Sequence, residues 1–457
     1  MVTAVAIAAA SEWTLRDAVE HALAHNLELR SERLLAEGAE ARLAGARAAF
    51  EPSLSGRVDA TRYEGADGAA SGDLSWSVGL AQPLPTGGSA ALAWGRGRAW
   101  EGDPGALASL DASAAITVEQ PLLAGAWLDG VYALRAAGLD AEAARIEREA
   151  RAERLAVEVA NAYWGLVSAR EYAALAARSV EIAEEQLAQT RARFDEGFAG
   201  SGDVLQVERA LGVSRQSREV AVAAEAAAER RLARLMGIPQ GEDPSISPVD
   251  RPAAAVAPPD AETARAAATQ GNASLRAVRL LARAAEVDYG HAVSGALPDL
   301  SVAGSLALSA GGEDVLDDPD RAWALGASLS VPITPRGPLA EVREARLARD
   351  RVRLAEEAAQ QDVLEDLDAA LHAVARDRSR VDLAEVTLSA AEQGLAADRE
   401  LYTEGRGSTR DVVRSLEALE EAQLARLRAE IDLQASVLEL ARLQGKVLEA
   451  LGVAAPD

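Results

Sequence analysis

The amino-acid sequence contains an internal duplication, and this feature constrains the fold more than any other. A gapless shift of 246 positions aligns residues 26–55 with residues 272–301. The shift matches Asn26 with Asn272, together with most of the surrounding leucines, arginines and alanines. The chain is therefore predicted to build one structural plan twice.

A second pair of matching segments shows where the two copies differ. FDEGFAGSGDVL at 194–205 and YTEGRGSTRDVV at 402–413 share a pattern but lie 208 positions apart. The shift falls from 246 to 208 between the two pairs of matching segments. The first copy thus carries about 38 extra residues between its two matching segments.

The distribution of proline indicates where the linker and the long helices lie. Six of the 17 prolines fall within 239–259, which predicts an extended linker between the halves. No proline occurs in 122–238 or in 339–455. Because proline interrupts helices, these two stretches, rich in Ala, Leu, Glu and Arg, are where very long helices can form.

Glycines in the repeated phrase interrupt each proline-free stretch, so each half is predicted to form a helical hairpin. At 1.5 Å per residue the longest arm spans on the order of 100 Å. Apolar residues recur every three or four positions, and Leu440, Leu443, Val447 and Leu451 are expected to continue one seam. The predicted arms are 127–196 with 203–236 and 339–404 with 409–451.

The segments before each hairpin alternate with a period of two, which predicts strands. Six candidate strands lie within 53–62, 74–82, 89–100, 113–120, 300–309 and 323–331. One face of these strands is apolar and the other carries Ser, Gly and Ala. This pattern suits a membrane β-barrel with a wide, wetted lumen, and Trp76, Trp94, Trp100 and Trp323 suit an interfacial belt. The residues predicted to face lipid are Trp76, Val78, Leu80, Leu306, Leu308, Leu325 and Leu329.

Composition excludes several classes of function. The net charge of −25 argues against nucleic acid as a partner, since phosphate binding needs a basic surface. The chain has no cysteine, which excludes disulfides and thiolate sites. Its four histidines offer few candidates for a catalytic acid or base. No catalytic grouping, cofactor motif or metal site is predicted, so the chain is not expected to be an enzyme.

The order of short motifs resembles the TolC family of outer-membrane channels. The motifs are WTLRDAVEHALAHNLEL, ARAAFEPSLS, VEQPLLAG, VANAYWGLVSAREY and RLMGIPQ, with the repeated turn, and the resemblance covers nearly all of 11–451. It implies a mainly α chain with a membrane β-barrel portion. Long antiparallel hairpins form a periplasmic α-barrel, and strands contribute to a trimeric outer-membrane β-barrel.

The resemblance also implies a function, which is the exit duct of a tripartite efflux pump or type I secretion system. The expected partners are two further copies of the chain, a periplasmic adaptor (membrane fusion) protein, an inner-membrane pump of the RND, ABC or MFS type, and outer-membrane lipid. The expected location is the cell outer membrane with a long periplasmic extension.

The strand number departs from the family pattern, which is typically four strands per chain. Because QPLPTGGSAAL predicts an additional hairpin, six strands are expected here. Either the barrel wall is larger, or the extra hairpin projects from it.

The repeated turns are the candidate functional sites. The resemblance implies adaptor docking at Phe198, Gly200, Gly202, Gly405, Arg406, Gly407 and Ser408. It also places Asp411 at a narrow periplasmic aperture, with Asp203 as its repeat partner. Arg414 stands where the family has a second aspartate. Helix capping is the structural alternative for Asp411, because Ser408 precedes it by three residues.

Other observations have simpler interpretations. His21 and His25 have helical metal-ligand spacing but no third ligand, so a packing or solvated role is expected. The acidic loop 311–320 is expected to be solvated. A periplasmic adaptor and a coiled-coil scaffold are the alternative functions. Two hairpins and apolar strands disfavour the adaptor, and the strands disfavour the scaffold.

These interpretations divide the chain into segments. They are a signal-peptide remnant (1–10), a first-repeat N-terminal helix (11–52), first-repeat strands (53–120), a first helical hairpin (121–238), a Pro-rich linker (239–260), a second-repeat helix (261–298), second-repeat strands (299–333), a second helical hairpin (334–452) and a tail (453–457).

Overall fold

Long helices and one large antiparallel sheet make up most of the structure, which is a computed structural model. It describes residues 11–64, 70–101, 107–124, 126, 131–197, 200–239, 246–252, 260–312, 315, 319–404, 406 and 409–454. The chain divides into two units. Unit 1 is Met1–Leu34, Ile146–Arg276 and Ala358–Asp457, and unit 2 is Leu35–Arg145 and Ala277–Glu357. The predicted signal-peptide remnant lies outside the described residues.

The helices confirm the two predicted hairpins. The first joins 64-residue and 36-residue helices, and the second joins 68-residue and 35-residue helices. In chain order the helices are α1 Leu15–His25, α2 Leu27–Ala48, α3 Tyr132–Asp195, α4 Ser201–Met236, α5 Ala261–Gly271, α6 Ala273–Gly295, α7 Arg336–Thr403, α8 Thr409–Leu443 and α9 Val447–Ala450.

The strands confirm the six predicted segments and extend most of them. They are β2 Ser53–Glu64, β3 Ala70–Pro83, β4 Ser89–Glu101, β5 Leu107–Pro121, β7 Asp299–Gly311 and β8 Asp320–Ser330. Two short strands were not predicted, β1 Ser11–Trp13 and β6 Ile246–Pro248, and they pair in parallel within unit 1. The linker between the halves therefore contains a strand.

Unit 1 shows the duplication in its core. One core cluster packs residues of α1, α2, α3 and α4 with Ile246, Val447 and Val453, and a second cluster packs residues of α5, α6, α7 and α8. Buried positions correspond at the shifts found in the sequence. The matched pairs are Ala18 and Ala264, Ala22 and Ala268, Leu29 and Leu275, Leu155 and Val363, Val159 and Leu367, Leu166 and Val374, and Leu232 and Leu440.

A buried asparagine forms the same joint in each half. Asn26 lies between α1 and α2, donates from Nδ2 to the Leu235 carbonyl (2.9 Å) and accepts at Oδ1 from the Leu29 amide (3.1 Å). Asn272 lies between α5 and α6, donates to the Leu443 carbonyl (3.2 Å) and accepts from the Leu275 amide (3.1 Å). The asparagine thus caps one helix and holds the end of the returning helix.

Each joint is closed by a glycine that no other residue can replace without cost. Gly237 and Gly445 have φ of +79° and +67°. A Cβ on Gly237 meets the His25 carbonyl oxygen at 2.5 Å, and a Cβ on Gly445 meets the Gly271 carbonyl oxygen at 2.4 Å. The expected seam from Leu440 through Leu451 is therefore wrong as one continuous helix, because α8 ends at Leu443 and left-handed Gly445 turns the chain into α9.

Unit 2 contains the six-stranded sheet, in the order β2-β3-β4-β5-β7-β8, and every neighbouring pair is antiparallel. The sequence repeat matches the start of β2 with the start of β7. Among the described residues the second half has only one further strand, β8, which corresponds to β5, so β3 and β4 are the insertion in the first half. The turn at QPLPTGGSAAL joins them, and Leu84 and Gly88 close it by a 2.8 Å backbone hydrogen bond. The extra hairpin is thus part of the sheet.

We predict that Gly445→Ala destabilises the protein much more than Gly452→Ala. Both glycines have nearly equal positive φ, but nothing lies within 4 Å of a Cβ on Gly452. Each variant meets a left-handed penalty of about 1–2 kcal/mol. The overlap with Gly271 at Gly445 adds roughly 1–3 kcal/mol. Melting temperatures of the purified variants measure the difference, and equal losses would contradict the proposed close packing.

Candidate functional site

The register of the sheet assigns each strand residue to one of two faces, because directly opposed residues of antiparallel strands point to the same side. Trp76 lies opposite Val58 on β2 and Arg96 on β4. Leu306 lies opposite Ile116 on β5 and Trp323 on β8. The same alternation runs through all six strands.

One face, here called the apolar face, carries the large hydrophobic side chains. The seven residues predicted to face lipid all lie on it, and contact with lipid stays a prediction. Many of its side chains are exposed, including Trp323 at 79% and Leu325 at 72%. Its other large members are Leu54, Val58, Leu74, Leu92, Trp94, Trp100, Leu110, Ile116, Val118, Leu300, Val302 and Trp323.

The opposite face, here called the small-residue face, is lined by serine, glycine and alanine. It also carries most of the acidic residues of the sheet. Those in the described strands are Asp59, Asp73, Glu101, Asp111, Glu119, Asp299 and Asp320, and Arg57 is the basic residue among them. A surface of this kind favours water and cations over apolar or anionic molecules.

The first hairpin turn is shaped by a helix cap. Helix α4 begins at Ser201, and Asp203 accepts a 2.9 Å hydrogen bond from the Gly200 amide. The carboxylate therefore satisfies a free amide and complements the positive end of the helix. Phe198 lies outside the described residues, whereas Gly200 and Gly202 lie on either side of the first helical residue.

The second hairpin turn carries the predicted aperture residues. Asp411 is the third residue of α8 and is half-buried, and Arg414 is exposed one turn later. Arg406 is exposed and pairs with Glu404 at 3.3 Å. Gly405, Gly407 and Ser408 lie outside the described residues, and so the predicted contact between Ser408 and Asp411 does too.

The two N-terminal histidines pack within unit 1. His21 Nδ1 lies 3.0 Å from the Met236 carbonyl oxygen, and its ring stacks on His25 with 4.1 Å between centroids. Burial lowers the pKa of His21. In the part of the chain that the structure describes, no cluster of three or more His, Asp or Glu residues could hold a metal ion.

A cavity of about 420 Å³ in unit 1 contains an acid that sequence reasoning missed. Burial, with repulsion from Glu149, raises the pKa of Glu153 to about 7, and Arg276 and Arg442 oppose the shift. Glu149 itself pairs with Arg276 at 2.8 Å. A glutamate in a helix rich in Ala, Glu, Leu and Arg gives no sequence signal, because its burial depends on residues far away in the chain.

None of the described helices is both long and apolar enough to cross a membrane.

Residues 265–446 match the family model described as outer membrane efflux protein. The chain is also 29% identical to protein CyaE of Bordetella pertussis over 257 residues, which is 52% of this chain. That alignment spans 53% of CyaE, so the chain matches about half the length of this relative. The matching family is one of channels, and it is not defined by an enzymatic activity.

Solved structures show the same fold along nearly the whole chain. The CmeC outer membrane channel of Campylobacter jejuni is 17% identical, with a TM-score of 0.68 over 95% of this chain and 86% of its own. The outer membrane protein VceC of Vibrio cholerae is 19% identical, with a TM-score of 0.67 over 96% of both chains. The predicted resemblance to outer-membrane channels and the mainly α fold with an antiparallel sheet are thereby confirmed. The outer-membrane location stays a prediction.

We predict that Leu306→Arg impairs membrane assembly, whereas Ser305→Arg does not. Leu306 lies on the apolar face, where an arginine near the membrane midplane costs about 2–4 kcal/mol. Ser305 is the next residue and lies on the small-residue face, opposite Thr117 and Ala324.

The measurements are the amount of each variant in the outer membrane and the single-channel conductance of the assembled protein. Ser305→Arg is the matched control, and we expect it to assemble and to change conductance. Equal behaviour of the two variants would show that the faces are assigned wrongly.

Proposed function

We propose that this chain is the outer-membrane exit duct of an efflux or secretion system. It passes small molecules or polypeptides from an inner-membrane transporter and a periplasmic adaptor to the exterior. Support comes from the match of residues 265–446 to outer membrane efflux proteins and from the channel fold of the solved relatives.

The observation that carries this proposal is the two-sided sheet of unit 2. Its apolar face suits hydrocarbon, and its small-residue face suits a wide aqueous passage because small side chains leave space. A packed soluble core offers no role for the exposed Trp323, Leu325 and Leu329 on the apolar face.

The sheet also needs partner chains. Among the described strands, β2 pairs only with β3 and β8 pairs only with β7, so each leaves one edge open. Open edges are not tolerated in hydrocarbon. We propose that β8 of one chain pairs with β2 of the next in a closed homotrimer. Three copies of a six-stranded sheet then give a wall of eighteen strands, which is wide enough for an aqueous channel.

Cysteine cross-linking tests this closure, and the absence of native cysteine keeps the background clean. Ser55 on β2 and Ser328 on β8 each lie two residues from the strand end that adjoins the helices. We predict that Ser55→Cys combined with cysteine at Gly326, Ser328 or Ser330 gives covalent species of up to three chains after oxidation.

Ser55→Cys combined with Ala322→Cys is the matched control. It places the second cysteine on the same face about 20 Å further along β8, too far for a disulfide. Covalent species larger than three chains, or equal linking by the control pair, would contradict the trimer.

The hairpin turns are proposed to meet the adaptor and, through it, the inner-membrane pump. Gly200 and Gly202 of the first turn and the exposed Arg406 of the second turn are the described members of this surface. The resemblance also assigns Phe198, Gly405, Gly407 and Ser408 to it. Gly197, with φ of +78°, reverses the chain just before the first turn, and the turns offer backbone groups to a docked partner.

Asp411 is proposed to line the periplasmic aperture. Three copies around a threefold axis concentrate negative potential there and attract cations. The exposed Arg414 partly offsets this charge. Asp203, the repeat partner of Asp411, is proposed to act at the same end of the channel as a helix cap and a weaker contributor of charge.

We predict that Asp411→Asn weakens the block of conductance by divalent or trivalent cations added from the periplasmic side, with little change in thermal stability. Asparagine keeps the size of the side chain and removes its charge. Planar-bilayer recordings measure the block, and Asp203→Asn is the matched control, in which we expect a smaller loss of block. We expect the control to lose about 0.3–1 kcal/mol of helix-terminal stabilisation. Unchanged cation block with a marked loss of stability in Asp411→Asn would identify Asp411 as a cap alone.

A further inference from the structure

The apolar face carries a group of arginines whose positions have a common feature. Arg62, Arg96, Arg98 and Arg321, here called the arginine band, all lie on this face. Their register partners are Gly72, Trp76, Leu74 and Leu308 respectively. Glu64 is the acidic residue on this face in the described strands. The sign of the charge is therefore opposite to that of the small-residue face.

Three arginines of the band, Arg62, Arg98 and Arg321, lie within three residues of one end of the sheet, and Arg96 lies five residues before the end of β4. At this end β2 stops at Glu64, β4 stops at Glu101 and β8 starts at Asp320, and loops connect the strands. The opposite end adjoins the helices α2, α3, α6 and α7. In an outer-membrane duct with periplasmic helices, the end with the loops faces outward, so the band lies at the outer leaflet.

The arginine side chains lack protein partners in the part of the chain that the structure describes. None of the four forms a side-chain hydrogen bond or ion pair with another described residue. The Arg96 Nε is fully buried and has no hydrogen-bond acceptor. Some other arginines of unit 2 form ion pairs, as Arg145 does with Glu40 at 2.8 Å and Arg353 with Glu286 at 2.9 Å, whereas exposed arginines such as Arg57 do not pair with any described residue.

Charge alone does not place arginines on a hydrocarbon-facing surface, because each charge there is costly without a partner. A phosphate is the fitting partner, since the planar guanidinium donates two parallel hydrogen bonds to its oxygens. The neighbouring Trp76 and Trp94 contact each other edge to face at 4.8 Å and suit the boundary between headgroups and acyl chains.

We propose that the arginine band binds the phosphates of an anionic lipid in the outer leaflet, with the acyl chains of the lipid lying along the apolar face. Charge complementarity selects this occupant over a zwitterionic lipid. The inference rests on the proposed outer-membrane duct, and it adds a lipid site that is separate from the passage through the channel.

The test uses the full-length trimer in detergent, with diphosphoryl lipid A and phosphatidylethanolamine as probes. Native mass spectrometry measures the binding of each probe to the wild type and to the Arg96→Gln/Arg98→Gln variant. We expect the variant to bind lipid A about tenfold more weakly or worse, and phosphatidylethanolamine as the wild type does.

Two further variants make the test specific. Arg57→Gln removes an arginine from the small-residue face of β2 and should leave lipid A binding unchanged. Arg96→Lys/Arg98→Lys keeps the charge and loses the bidentate hydrogen bonding of the guanidinium. We expect it to bind lipid A more tightly than the glutamine variant and more weakly than the wild type. Equal lipid A binding by the wild type and the glutamine variant, or an equal loss in Arg57→Gln, overturns the proposal.

The same preparations separate this inference from the proposed function. A glutamine variant that forms conducting trimers and binds lipid A normally overturns only the lipid site. A wild type that yields neither trimers nor conductance in planar bilayers overturns both.

Discussion

In the proposed duct, each amide and carbonyl of a strand in hydrocarbon needs a hydrogen-bond partner, and the strand pairing of unit 2 fits this requirement. The six strands satisfy one another from β2 to β8 and leave their unpaired groups at the two outer edges. The first half has gained a whole hairpin, β3 and β4, compared with the second. Two added strands keep β2 and β8 antiparallel, so these edges can still pair between copies and every helix still joins the sheet at the same end.

The helical part depends on a different constraint, which is the buried joint at Asn26 and at Asn272. A buried amide must be fully hydrogen-bonded, because an unmade bond costs about 1–3 kcal/mol. Both asparagines meet this demand with the start of one helix and the carboxyl end of another. The joint uses corresponding hydrogen bonds in the two halves although their strand numbers differ, so it does not depend on the number of strands in the sheet.

Much of this fold was predictable, because its periodic features depend on local sequence. The absence of proline predicted the long helices. The alternation of apolar and small residues predicted all six strands and the shared face of Trp76 and Leu306. The joints were missed because their partners lie far apart, with Asn26 bonded to Leu235. A signal existed in RLMG at 234–237 and RLQG at 442–445, which repeat at the same shift as the hairpin turns. The burial of Glu153 had no such signal, and the turn residues remain predictions from resemblance.

The two faces of the sheet differ in charge as well as in hydrophobicity, and together these differences fix the register. A slip of one residue in any strand exchanges its faces. In β4 that slip would turn Trp94, Arg96 and Arg98 onto the small-residue face and Glu101 onto the apolar face. The cost of an unpaired carboxylate in hydrocarbon adds to the loss of apolar burial, so both terms oppose the same error. Acidic residues on the small-residue face therefore serve the fold as well as the proposed channel. In the proposed channel they form a cation-attracting wall, and they make the alternative pairing of the strands more costly than hydrophobic patterning alone would.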